Sequence, residues 1–334
     1  MWRVLMLRPL LPAALALLLS LSGVAAETEV RVSASILPVH GLVAAVMKGV
    51  GEPDLILPPG ASPHGYALKP SGATAMSRAD VIFRIGPALE AFLDRPLANL
   101  SGSATRVDLV NAPGLLLLPI RDNDAFADDG HGHGQGHHED DDGDEDHDAN
   151  GHDDHDEDHA GMIDPHFWLD PLNAIAMVRH VAEVLSVADA ANAARYRDNA
   201  VATISRLEDM QTRIAARLQP VQGRPFIVFH DAFQYFENKF GLTAVGSITI
   251  NPEVSPGARQ ISLIQDRIHN DGVRCVLADP QFNSAIVESL ANNNHVLIGI
   301  IDPIGPMAGT TPDPFVSMME QVASVMLACL GDGD

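Results

Sequence analysis

The chain has 334 residues, 46 % of them apolar, which is beyond the usual size of one domain and enough for two buried cores. Its formal net charge of −23 is unevenly spread: 17 acidic and no basic residues fall between positions 122 and 158, leaving 27 acids against 21 bases elsewhere. A body that is only mildly acidic has no basic face for nucleic acid, and no Gly-x-x-x-x-Gly-Lys-Ser/Thr sequence for ATP occurs.

Residues 1–26 read as a cleaved secretory signal. Arg3 and Arg8 precede the apolar run Leu10 to Leu21, which is short for a bilayer span, and Val24-Ala25-Ala26 supplies the small residues of a cleavage site. No cysteine stands at that site, which excludes lipid anchoring there and points to a periplasm.

The first lobe is expected over 27–188. It contains strands at Val30 to Ile36, Leu55 to Leu57, Val81 to Ile85 and Arg106 to Val110. Helices are expected at His40 to Lys48, at Ser71 to Arg78 with Ser71 as the cap, and at Ala88 to Leu97 behind Gly86-Pro87. Next, Tyr196, Ala200, Ile204, Leu207, Met210, Ile214 and Leu218 recur every three or four residues until Pro220. They predict a helix of roughly 45 Å within 189–219, stiff enough to join two lobes. A second lobe over 220–334 repeats the plan. Its strands are Phe226 to Phe229, Leu242 to Ile248, Val273 to Ala278 and Val296 to Ile301. Its helices run up to Phe240, then over Ala258 to Asn270, Ser284 to Ala291 and Pro314 to Leu330. Such alternation implies an α/β fold: two lobes with parallel sheets, joined by a long rigid helix, with a cleft between them.

The segment 122–160 belongs to neither lobe. Its eight histidines (His131, His133, His137, His138, His147, His152, His155 and His159) alternate with carboxylates and almost nothing apolar. A stretch of that composition cannot bury enough surface to offset its ordering entropy, so a mobile loop is expected. Its alternating imidazoles and carboxylates suit weak, exchangeable metal sites better than a merely solubilising linker.

Cys275 and Cys329 are the two cysteines, and an oxidising compartment favours their pairing over two buried free thiols.

Three other histidines and one aspartate stand in distinctive settings. His64 follows the second strand, His166 sits in Asp-Pro-His-Phe-Trp, His230 ends the strand Phe-Ile-Val-Phe, and Asp279 ends the strand Cys-Val-Leu-Ala. Ligands of α/β sheets gather beyond the carboxyl ends of strands, so these four can converge on a cleft. Three imidazoles and a carboxylate form a four-coordinate site suited to Zn²⁺. Spacings of 102, 64 and 49 residues do not by themselves make a metal pattern. His40 is expected to be structural or to lie behind the ligands. His180, His269 and His295 are expected to be ordinary surface residues.

Five segments in order carry a family resemblance. They are Gly60-Ala-Ser-Pro-His64 with Lys69-Pro70-Ser71, Asp164-Pro-His166-Phe-Trp-Leu-Asp-Pro171, Phe229-His230-Asp-Ala-Phe-Gln-Tyr-Phe236, Asn251-Pro-Glu-Val-Ser-Pro-Gly257 and Asp279-Pro-Gln-Phe282. Together they resemble the zinc-binding, ZnuA-type solute-binding proteins of metal ABC importers. The resemblance implies metal held between the lobes by His64, His166 and His230, a Cys275–Cys329 disulfide, and a His/Asp-rich insertion. It also implies docking on a membrane permease with its cytoplasmic ATPase, a monomeric state, and a periplasmic zinc chaperone as a further candidate partner. Some zinc members carry Glu before the first ligand histidine, where this chain has Pro63. The fourth ligand is then Asp279 or water, and Asp279 is preferred because an open water position suits catalysis. Manganese-binding relatives place Glu at the His230 position, so imidazole there favours zinc; manganese or nickel is the alternative metal within the family. A metal buffer without a permease is a second reading. A zinc hydrolase is a third, disfavoured because there is no His-Glu-x-x-His and no general base beside the histidines.

Overall fold

A computed structural model describes residues 30–121, 162–249, 252–305 and 313–331. The expected leader and the eight histidines of the acidic segment lie outside the described residues.

The first sheet takes β1 (Val32–Ala34), β2 (Asp54–Leu55), β3 (Val81–Arg84) and β4 (Thr105–Asp108) in the order β2-β1-β3-β4, all parallel. The second repeats this topology with β5 (Pro225–His230), β6 (Thr243–Thr249), β7 (Cys275–Ala278) and β8 (Leu297–Ile300) in the order β6-β5-β7-β8. In each sheet the order reverses beside the first strand, and crevices form at the carboxyl ends of strands flanking such a reversal. In the second sheet those strands are β5, which ends on His230, and β7, which is followed by Asp279.

Helices α1 (Leu37–Met47), α2 (Pro70–Arg78) and α3 (Asp94–Leu100) serve the first sheet. Ser71 does not cap α2: Pro70 occupies the first helical turn, where its missing N–H costs nothing, and Lys69 flanks it. The helix expected from Ala88 is a 3-10 turn, Ala91–Leu93, followed by α3. Gly72 lets α2 approach β2, since a Cβ there would stand 2.8 Å from the Ile56 carbonyl.

Helix α4 (Pro171–Ala188) packs on α1 of the first lobe and on α5 (Ala193–Leu218), which runs between the lobes. Sequence periodicity did not point to α4. Asp170 caps it by accepting the Leu172 N–H at 2.8 Å, with Pro171 in its first turn. The 26 residues of α5 span about 39 Å at 1.5 Å per residue. Its buried face matches the predicted stripe except that Thr203 replaces Ile204, the Thr203 hydroxyl donating to the Asn199 carbonyl at 2.8 Å.

The second lobe adds α6 (Gln234–Phe240), α7 (Ala258–Asn270), α8 (Ala285–Asn294) and α9 (Pro314–Leu330). Gly241, at φ 69°, supplies the left-handed turn that ends α6. Helix α9 packs on β8, but also along α5 and against α1 of the first lobe. Arg213 and Arg217 of α5 both pair with Glu320 of α9, at 3.0 and 2.6 Å. One hydrophobic core accordingly runs through both lobes, from Val39 and Leu42 through Leu207 and Met210 to Phe240 and Met326. Cys275 and Cys329 form a disulfide tying β7 to α9. Among the described residues no helix is long and apolar enough to cross a membrane.

Candidate metal centre

His230 is the last residue of β5, whose Phe-Ile-Val-Phe run is buried between helices. His64 sits on the loop between β2 and α2, its N–H donating to the Ser62 hydroxyl at 3.2 Å. His166 arrives by a third route. Segments 118–120 and 162–164 pair as a short antiparallel ribbon, with Ile120 N–H donating to Met162 O at 2.8 Å and Asp164 N–H to Leu118 O at 2.9 Å. His166 follows two residues later and opens the 3-10 turn Phe167–Leu169.

These three histidines, remote in sequence, meet where the two lobes face each other. Their ring centroids lie 4.8 to 5.5 Å apart, and one donor nitrogen from each can be chosen so that all three lie within 4.8 Å of one another. Tetrahedral Zn–N bonds of about 2.1 Å separate donor atoms by about 3.4 Å, so gathering around an ion asks each pair to close by no more than about 1.4 Å. Together with Asp279, Trp168, Gln281, Phe282 and neighbouring residues the histidines line a cavity of about 10 Å³, room for one water-sized occupant. Asp279 borders this cavity but is not part of the close group of three. Its carboxylate accepts the Gln281 N–H at 3.0 Å.

The electrostatics favour a cation. Burial, with a smaller contribution from neighbouring His166, pushes the His64 imidazole down to about 3. Burial also holds His230 well below the usual imidazole range. Both rings are therefore neutral at neutral pH, with a lone pair available. The Nδ1 of His230 is buried with no hydrogen-bond partner. Asp279 is pushed up to about 7 by burial, reinforced by the nearby Asp302 carboxylate, and a bound cation would return it to its charged form.

Sequence reasoning gave no role to the residues that hold these histidines. Asp164 accepts both the backbone N–H of His166, at 3.0 Å, and its Nδ1–H, at 2.7 Å, which leaves Nε2 as the outward donor atom. An Asp two positions before a candidate ligand histidine is the signal that could have revealed it. Trp168 is fully buried, donates Nε1–H to the Pro303 carbonyl at 2.9 Å, and stands 5.3 Å from the His166 ring. His40 is structural, its Nε2 bonded to the Pro53 carbonyl at 2.9 Å, and it does not line the cavity. His269 is exposed on α7. His295 is exposed and ends α8 at a φ of 55°. His180 departs from the expected surface setting: its Nδ1 is buried without a partner.

Comparison with known proteins agrees with this geometry. The family model described as zinc-uptake complex component A, periplasmic, matches residues 32–329. The high-affinity zinc uptake system protein ZnuA of Brucella abortus (strain 2308) is 43 % identical over 314 residues, covering 92 % of this chain and 94 % of its own. Two crystal structures share the fold at 20 % identity. One is of ZnuA, with a TM-score of 0.72 over 90 % of this chain and 99 % of its own; the other is of a ZnuA deletion mutant with zinc bound, with a TM-score of 0.71 over 91 % and 99 %. With three histidines gathered at the lobe junction and a family match across nearly all of both lobes, the chain belongs to the ZnuA family, the periplasmic component of zinc-uptake ABC importers.

Proposed function

We propose that this protein captures one Zn²⁺ with His64, His166 and His230, with Asp279 as the fourth ligand, and hands it to a membrane permease driven by a cytoplasmic ATPase. The observation carrying this reading is the meeting of three imidazoles, from three separate segments, at donor distances of 4.8 Å or less. Three nitrogen donors suit zinc better than manganese, which prefers oxygen. The site captures and releases an ion and needs no general base, in keeping with a family of binding proteins rather than enzymes.

The same reading makes residues 1–26 a signal removed on export, 27–188 and 220–334 the two lobes, and 189–219 the linking helix. The protein acts as a monomer, and a periplasmic zinc chaperone is a candidate donor of the ion. The histidines of 122–160, from His131 to His159, form weak exchangeable sites that concentrate zinc near the cleft.

Metal analysis and competition titration with a chromogenic zinc chelator test these statements. The wild-type chain should hold one tight zinc and several weak ones. His64→Ala, His166→Ala and His230→Ala should each abolish the tight site. Deleting 122–160 should remove only the weak ones. Tight binding that survives in the histidine variants would sink the proposal. An unchanged affinity in Asp279→Ala would give the fourth position to water.

A further inference from the structure

Arg121 follows the ribbon strand 118–120 of the first lobe, and its side chain reaches across to the second lobe. Its guanidinium donates to both oxygens of Asp231, with Nε 3.0 Å from Oδ2 and a shorter contact from Nη2 to Oδ1. It also donates to both oxygens of Glu237 on α6, at 2.9 and 3.0 Å. The two carboxylate side chains are only 5 % exposed, and Glu237 accepts in addition the Ala244 N–H at 3.1 Å. Two residues before Glu237 on the same helix, the Tyr235 hydroxyl accepts the Leu118 N–H at 2.8 Å and donates to the Asp164 carbonyl at 2.9 Å.

Both ends of this network finish beside a histidine of the cluster. Asp231 follows His230 directly, and Asp164 holds the Nδ1 of His166. We infer that Arg121, with Tyr235, is a positioning residue for metal capture: it fastens the ribbon to α6 and so fixes the separation of His166 from His230 before the ion arrives. This inference rests on the reading of the three histidines as ligands.

The chemistry of the fastening argues for orientation over mere adhesion. Burying a guanidinium and two carboxylates carries a desolvation cost that an apolar contact of the same volume would avoid. What the planar fork adds is direction, because two carboxylates held bidentately leave the joined segments little freedom to slide or twist. Neighbouring groups that orient metal ligands commonly change affinity by about 10- to 100-fold when removed.

The test uses the full mature chain and zinc alone as the probe. Arg121→Gln, Arg121→Lys and Tyr235→Phe are compared with wild type for zinc affinity by chelator competition. Release rate after chelator mixing is followed by the emission of Trp168, and the melting temperature of the metal-free protein is measured alongside. Arg121→Gln should weaken binding about 10- to 100-fold, chiefly through faster release. Arg121→Lys should recover part of this, since it keeps the charge and loses the fork. Tyr235→Phe, which leaves the ion cluster intact, should weaken binding about 5- to 30-fold, the effect of losing two neutral hydrogen bonds. Wild-type affinity and release rate in all three variants, with only the melting temperature lowered, would reduce Arg121 to a structural role and overturn the inference. Retention of tight zinc by His64→Ala would instead remove the ligand assignment, a distinguishable failure.

Discussion

Replacing Asp164 by Asn isolates the charge that orients His166. The Asp164 and His166 side chains are both about 95 % buried, and a single carboxylate oxygen accepts the His166 backbone N–H at 3.0 Å and its Nδ1–H at 2.7 Å. Asn keeps the shape and can keep one oxygen in that position. It loses the negative charge that stabilises the positive charge spreading onto the imidazole from a bound metal. The expected loss is about 10-fold in zinc affinity for Asp164→Asn, equivalent to about 1.4 kcal/mol. Asp164→Ala, which also strips the backbone N–H of its acceptor, should approach about 100-fold, or about 2.7 kcal/mol. Chelator competition at pH 7.5 measures both, with metal-free melting curves separating loss of fold from loss of affinity. If Asp164→Asn binds zinc within twofold of wild type while His166→Ala loses the tight site, the carboxylate does not tune the ligand and the reasoning fails.

Two further outcomes are expected. The Cys275–Cys329 bridge closes 54 residues of chain, so its replacement by a serine pair should lower unfolding free energy by about 4 kcal/mol, read as the shift in a urea melt. Burial pushes the Glu90 carboxyl up to about 7, only partly countered by hydrogen bonds such as the one it accepts from Gly86 N–H at 3.0 Å. The folded state therefore holds a proton that the unfolded chain gives up near 4.5, so this group's contribution to stability falls as pH rises from about 4.5 through 7. Glu90→Gln should flatten that decline and raise stability at pH 8, and a melting-temperature profile against pH parallel to wild type would contradict it.

The histidine cluster was legible because His230 ends a strand, at a place that α/β topology exposes, and because all three histidines stand in local sequences with their own character. Helix α4 was not. It is buried on most of its circumference, with Asn173, Ala174, Ile175, Ala176, Met177 and Val178 in succession, so no amphipathic stripe betrays it. Its start signal, Asp170-Pro171, lies inside the segment that drew attention for its histidine. The roles of Tyr235 and Arg121 exist only once chain segments more than 70 residues apart have met, and no spacing encodes that meeting, whereas Asp164 stands two residues before the histidine it holds and was within reach of the sequence. The disulfide was readable from compartment and count alone. The relation of Asp279 to the histidines was not, because a strand end fixes the side of the sheet and leaves the reach of the side chain open.

Helix α9 leaves the second sheet to lie against α1 of the first, and a common core fills the space beneath. A molecule stapled along its back in this way cannot gape like a clamshell; prising the sheets apart would expose apolar surface along its whole length. Unloading must then proceed through the front, where His64 rides on a loop and is the least buried of the three rings. The effort of letting go falls on whatever grips that front face, and the protein alone should be a reluctant donor.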